Sequence, residues 1–145
     1  MPQPRTIDLL LDQYSASHRH PTNELIHVVC VPVIVLTLLG ILWSIHPALA
    51  VAACGAALVY YFRLSPPFAL GMLLTSAAML AVLALMPPFT VLPLSIAIFV
   101  VAWIGQFIGH KIEGRKPSFF DDLRFLLIGP LFVLGFLYRR LHVAY

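Results

Sequence analysis

The stretch His27-Val-Val-Cys-Val-Pro-Val-Ile-Val-Leu-Thr-Leu-Leu-Gly-Ile-Leu-Trp-Ser-Ile45 contains no Lys, Arg, Asp or Glu. Uncharged apolar runs well beyond about 18 residues read as membrane-spanning material. Outward from it the pattern continues. Between Glu24 and Lys111 the only formal charge is Arg63, so Leu25–Phe62 and Leu64–His110 carry none. Over the whole chain 61% of residues are hydrophobic and 10% charged, against about a quarter charged in an ordinary soluble domain. The expected fold is all-α: a polytopic membrane helical bundle, one integral membrane domain over residues 1–145.

Four spans are expected. They run His27–Ile45, Ala48–Phe62, Phe68–Met86 and Phe89–Gly109, separated by His46-Pro47, by Arg63–Pro67 and by Pro87-Pro88. The second is short and rich in Ala and Gly, which let helices approach closely. The fourth contains Gly105-Gln-Phe-Ile-Gly109, a spacing suited to tight helix contact. Ahead of the spans, residues 6–18 read as an amphipathic helix on Ile7, Leu10, Leu11 and Tyr14, too polar to span and suited to the membrane surface. Pro21 should break it, with Thr22 or Asn23 capping the next helix. After the spans, Phe125–Tyr138 is too short for a perpendicular crossing, which needs ~20 residues. With Gly129-Pro130 in its middle it is expected to be a re-entrant or tilted segment.

Charge sets the topology. His46-Pro47 and Pro87-Pro88 carry no Lys or Arg, whereas Arg5, Arg19, Arg63, Lys111, Arg115, Lys116 and Arg124 all fall on the other side of a four-crossing arrangement. Positive residues prefer the cytoplasm, so the N-terminus is expected inside, in a bacterial inner membrane on the strength of the short tails. No apolar h-region precedes the first span, which is therefore expected to be retained rather than cleaved. The nine Lys and Arg form no stripe with interleaved aromatics, so nucleic acid is not an expected partner; membrane lipid is, and a homo-oligomer is compatible with the sequence. Cys30 and Cys54 sit in apolar runs and read as small buried hydrophobes rather than a disulfide.

An even number of crossings returns the end of span four to the face where span one begins. His18, His20 and His27 therefore share a face with His110. Asn23 and Glu24 lie four and three residues before His27. Trp103, Gln106, His110 and Glu113 make one stripe on span four. Imidazoles near carboxylates suit a borderline metal such as iron or zinc, with Asn23, Glu24, Gln106 and Glu113 available to orient the rings. The ordinary alternatives are snorkelling or helix capping, preferred for His46 and His142; His20, held extended by Pro21, is the weaker ligand of the four. Arg115 and Lys116 are most simply positive-inside anchors, with gripping of a fatty-acid carboxylate as the alternative. Tyr14 is an interfacial aromatic or a proton donor.

Two stretches carry a resemblance. Tyr14-Ser-Ala-Ser-His18-Arg-His-Pro21-Thr-Asn23-Glu-Leu-Ile-His27 with Val31-Pro32, and Trp103-Ile-Gly-Gln106-Phe-Ile-Gly109-His110 with Glu113, Pro117 and Pro130, resemble the membrane 2-hydroxy fatty acid dioxygenases, whose fungal members make odd-numbered fatty acids from phytosphingosine. The resemblance covers about residues 5–140. It implies iron(II)-dependent α-oxidation: a 2-hydroxy fatty acid and O2 give the acid one carbon shorter, CO2 and water. His18, His27 and His110 match the family's catalytic, metal-binding histidines and Asn23 its asparagine. Position 20 is His where Asn is common in relatives, and the stretch from His110 to Pro117 is one residue shorter than in the fungal form, which leaves the roles of His20 and Glu113 open. A 2-hydroxy acid can chelate iron through carboxylate and hydroxyl. It supplies all four electrons, so no organic cofactor is required. The acyl chain would lie between helices, with the N-terminal helix and residues 125–138 closing over it.

Four other classes compete. A di-iron desaturase or hydroxylase needs about eight histidines, whereas four fall on the right face. A haem carrier could use His27 and His110 as axial ligands. A zinc hydrolase fits histidine ligands as well as iron does. A non-catalytic scaffold or transporter would use the histidines as interface residues.

Overall fold

The computed structural model describes residues 5–145. Among them are six α-helices, one 3-10 turn and no strand. Four helices are long and apolar enough to cross a membrane: α2 (Pro21–Ile45), α3 (Pro47–Leu64), α4 (Pro66–Leu85) and α5 (Pro88–Glu113). α1 (Thr6–Ser15) precedes them; the 3-10 turn Ser118–Phe120 and α6 (Phe125–Arg140) follow. At 1.5 Å per residue α2 and α5 are about 37 and 39 Å long, more than a ~30 Å hydrocarbon core. The first turns of α2 and the last turns of α5, which carry histidines, therefore reach one interface.

Each spanning helix starts earlier than the hydropathy pattern indicates, because each opens on a proline, Pro21, Pro47, Pro66 or Pro88, at its first or second position. There the missing N–H costs nothing and the fixed φ is already helical. The expectation that Thr22 or Asn23 caps α2 is corrected on the same ground. The cap is His20, whose Nδ1 accepts the Thr22 N–H at 3.2 Å. His46 caps α3 in the same way, accepting from Ala48 N–H at 3.1 Å, which makes the capping alternative the right one there.

α1 is shorter than residues 6–18. The hydroxyls of Ser15 and Ser17 bond back to the carbonyls of Asp12 and Tyr14 as the helix ends, the habit that disfavours Ser in helix interiors. Its apolar face is buried in protein rather than laid on lipid. Ile7, Leu10 and Tyr14 join Ile128, Leu131 and Phe132 of α6 in one core, with Tyr61 and Phe68 from α3 and α4. α6 is one uninterrupted helix through Gly129-Pro130. Tyr61 Oη donates to Leu127 O at 2.9 Å and Tyr138 Oη to Pro67 O at 2.6 Å. Tyr61 and Pro67 flank the single α3–α4 turn, so both halves of α6 are tied to the same end of the bundle. α6 lies across that end and does not cross.

α2 and α5 form the closest helix pair. A Cβ at Gly105 would sit 3.0 Å from Cys30 Sγ, and one at Gly109 would run into Asn23 Oδ1. The small-residue spacing on α5 therefore meets α2 directly. Gly55 of α3, by contrast, has nothing within 4 Å, and α3 packs through Ala50 and Cys54 instead. Both cysteines are free. Gly109→Ala is expected to destabilise by about 1–3 kcal/mol through overpacking. Gly55→Ala should be neutral or slightly stabilising, since Ala is the better helix former. Thermal unfolding midpoints in detergent separate the two.

Candidate metal centre

His18 comes from the loop between α1 and α2, His27 from the second turn of α2, and His110 from the last turn of α5. All three are buried, and one nitrogen from each lies within 4.8 Å of the others. His27 and His110 are 83 residues apart, yet their Nε2 atoms are 3.1 Å from each other.

The far side of two rings is fixed by backbone. His18 Nδ1 donates to Tyr14 O at 2.6 Å and His27 Nδ1 to Asn23 O at 2.8 Å, each four residues back. A neutral imidazole that donates through Nδ1 presents a lone pair at Nε2. Burial lowers the His18 pKa to about 4, so its ring is neutral near pH 7. Its Nε2 is buried and has no partner. These are the attributes of metal-ligating histidines whose other nitrogen is oriented by the protein. Two nitrogens on one metal at 2.0–2.1 Å would stand about 2.9–3.4 Å apart at octahedral or tetrahedral angles. The His27–His110 pair already has that separation, and the His18 nitrogen lies within 4.8 Å of both. The residues present fit a metal ion.

Asn23, wholly buried, holds the two halves together. Its Nδ2 donates to Ser17 O and to Glu113 Oε2, both at 3.1 Å. The Glu113 carboxylate is held by backbone N–H groups as well as by Asn23. Its Oε1 accepts from Arg19 N–H at 3.0 Å and its Oε2 from His20 N–H at 2.8 Å. A carboxylate is thereby set against the N-terminus of α2, where the helix dipole favours negative charge. Through it α5 grips the loop that carries His18. The Ser17 and Ser118 hydroxyls meet in a second tie, to the 3-10 turn.

Several expected participants stand elsewhere. His20 is exposed and its Nδ1 is engaged as the α2 cap, apart from the cluster of His18, His27 and His110. Arg115 and Lys116 are exposed, Lys116 pairs with Asp121, and neither lines the cavity at the cluster; the carboxylate-gripping alternative loses its geometry. Glu24 faces a polar cavity on the far side of His18 with Asp8, Asp12 and Arg139. Tyr14 is not a belt residue. It is 6% exposed and stacked on His18 with ring centroids 4.1 Å apart, and burial raises the pKa of its phenol, which stays protonated.

The cavity at the cluster has a volume of about 60 Å³ and is walled by Tyr14, Gln106, Trp103, Phe119, Phe125 and Leu126 besides the three histidines. Gln106 is in place, as its position on the stripe implied. A haem held by His27 and His110 would need room for a porphyrin between the two rings, whereas the cavity at the cluster has a volume of about 60 Å³. Only three histidines gather among the described residues, too few for a di-iron cluster of the histidine-rich kind.

Residues 5–141 match the model of a family described as 2-hydroxy-palmitic acid dioxygenase Mpo1-like. The 2-hydroxy-palmitic acid dioxygenase MPO1 of Saccharomyces cerevisiae (strain ATCC 204508 / S288c) is 30% identical over 129 residues, covering 83% of this chain and 73% of the yeast protein. No solved structure matches.

Proposed function

Because the chain belongs to the Mpo1-like family, we propose that it is an iron(II)-dependent membrane dioxygenase that shortens 2-hydroxy fatty acids by one carbon. The observation that carries the assignment is the convergence of the three buried imidazole nitrogens of His18, His27 and His110. The reaction balances as R–CH(OH)–COOH plus O2 giving R–COOH, CO2 and H2O. The bond between the carboxyl carbon and C2 breaks, and the substrate supplies the four electrons. Iron(II), when bound, supplies a redox-active Lewis acid at which carboxylate, hydroxyl and O2 can meet.

The chain's own residues do the rest. The carbonyls of Tyr14 and Asn23 keep the His18 and His27 rings turned inward. Glu113 and Asn23 lock the His18 loop to α5. Tyr14 stays an O–H donor at the cavity wall, and Phe119, Phe125 and Leu126 exclude water from it. The positive-inside distribution orients the histidine end toward the cytoplasm.

A cavity of about 60 Å³ has room for a head group, equivalent to about two waters, and not for an acyl chain. Beside it an apolar cleft of about 200 Å³ runs between α2, α4 and α6, lined by Pro32, Met72, Met79, Pro130 and Leu134. Val35 belongs to both walls, and Gly129 of one is followed by Pro130 of the other. The acyl chain occupies this cleft, with α6 as its roof. Val35→Phe should therefore lower kcat/KM for a 16-carbon acid by at least about tenfold, as expected for overpacking of a fitted apolar site, while sparing 2-hydroxy acids of four to six carbons. A parallel loss for all lengths would place the chain elsewhere.

The test of the metal assignment is elemental mass spectrometry on detergent-purified protein. About one iron per chain supports it. Zinc at that ratio, with no turnover after exchange for iron(II), would favour a hydrolase. No metal even after iron(II) is supplied would refute it.

A further inference from the structure

We propose that Trp103 binds the carboxylate of the substrate through its indole N–H. The inference rests on the dioxygenase assignment for the identity of the acid, and adds to it the group that recognises the acid. Trp103 Nε1 is buried and has no hydrogen-bond partner. Buried indole N–H groups normally find an acceptor, and leaving one unmet is costly. The side chain is packed among Phe99, Phe107 and Phe119, at centroid distances of 6.1, 5.8 and 5.3 Å. None of these offers an oxygen. Phe119 stands edge-to-face against the indole at an interplanar angle of 86°, and a ring is at best a second-order acceptor. The aromatic cage thus fixes the indole without satisfying its N–H.

Its missing acceptor lies in the cavity. Trp103 lines the same small cavity as the three histidines, on the α5 face that continues through Gln106 to His110. The volume of about 60 Å³ admits only a few non-hydrogen atoms, and the histidines and the indole are both part of its wall. No Lys or Arg lines that cavity. An acid entering it must have its charge met by the metal and by neutral donors at the wall, among which Trp103 N–H is buried and without an acceptor. A carboxylate has two acceptor oxygens, so one can face the metal while the other accepts from the indole. Hydrogen bonds to an ionised acceptor are roughly twice as strong as neutral ones.

The test compares 2-hydroxyhexadecanoic acid with hexadecane-1,2-diol, which keeps chain and hydroxyl and lacks the carboxylate. Binding to iron(II)-loaded protein is measured by calorimetry without O2, for wild type and Trp103→Phe. The expected result is metal content unchanged, acid affinity lowered at least about tenfold, and diol affinity within about twofold of wild type. In the Trp43→Phe background Trp103 is the only indole left, and its emission should respond to the acid and not to the diol. Equal acid affinity in Trp103→Phe, or equal losses for acid and diol, would overturn the proposal while leaving the dioxygenase assignment standing. Failure of metal-loaded wild type to bind the acid would overturn both.

Discussion

His27→Ala and His110→Ala should each lower metal affinity by at least about a hundredfold, more than loss of an orienting partner typically does. The expectation follows from the 3.1 Å separation of the two Nε2 atoms. Each removes a nitrogen already at metal-ligand spacing from its neighbour, and no other described histidine stands close enough to substitute. The controls are internal to the chain. His20→Ala and His46→Ala delete helix caps, which costs about 1 kcal/mol of stability and leaves metal binding within a few-fold of wild type. Competition against a calibrated chelator reads the affinities, and circular dichroism confirms that the variants remain helical. If the histidines were merely a polar cluster satisfied by one another, His27→Ala and His110→Ala would unfold more easily with no change in bound metal.

The second large effect belongs to Glu113. As a ligand it would tolerate no loss of charge. As a clamp it needs acceptors for the Arg19 and His20 backbone N–H groups and the Asn23 amide. Glu113→Ala leaves all three without the carboxylate and frees the loop that carries His18, so metal affinity should fall about ten- to a hundredfold, the usual range for groups that orient ligands. Glu113→Gln keeps one carbonyl oxygen of the same reach and should recover a good part of the loss. Gln no better than Ala would return Glu113 to the coordination sphere.

Much of this was legible in the sequence because the bilayer imposes a strong signal. A helix that must hold about 20 apolar residues in hydrocarbon can hardly be missed, and His27–Ile45 and Phe89–Gly109 lie wholly inside α2 and α5. The parity of four crossings sufficed to bring His27 to His110. The elements at the interface were harder to read. Phe125–Tyr138 is too short to span and too apolar for a loop, and only the bonds from Tyr61 and Tyr138 show that α6 lies across one end. Residues 6–18 have the periodicity of a surface helix whether the apolar face meets lipid or α6. Pro21 marked His20 as the weaker candidate, but that its Nδ1 caps α2 while His18 turns inward onto Tyr14 O depends on Pro21 opening α2 rather than separating two helices. Glu113 shares a stripe with His110, and no spacing rule says that its carboxylate turns toward the backbone of Arg19 and His20. Trp103 was visible as a member of that stripe. That its N–H lacks an acceptor is a property of its surroundings and has no sequence signature.

The most direct test of the central claim is the stoichiometry of turnover. Protein prepared without O2, loaded with iron(II) and given 2-hydroxyhexadecanoic acid, should on admission of O2 form pentadecanoic acid and CO2 in equal amounts, with one O2 consumed per acid and no added reductant. The same preparation of His110→Ala should form neither. Unchanged acid in iron-loaded wild type, or a shortened acid formed equally well by His110→Ala, would contradict a dioxygenase built on the three histidines.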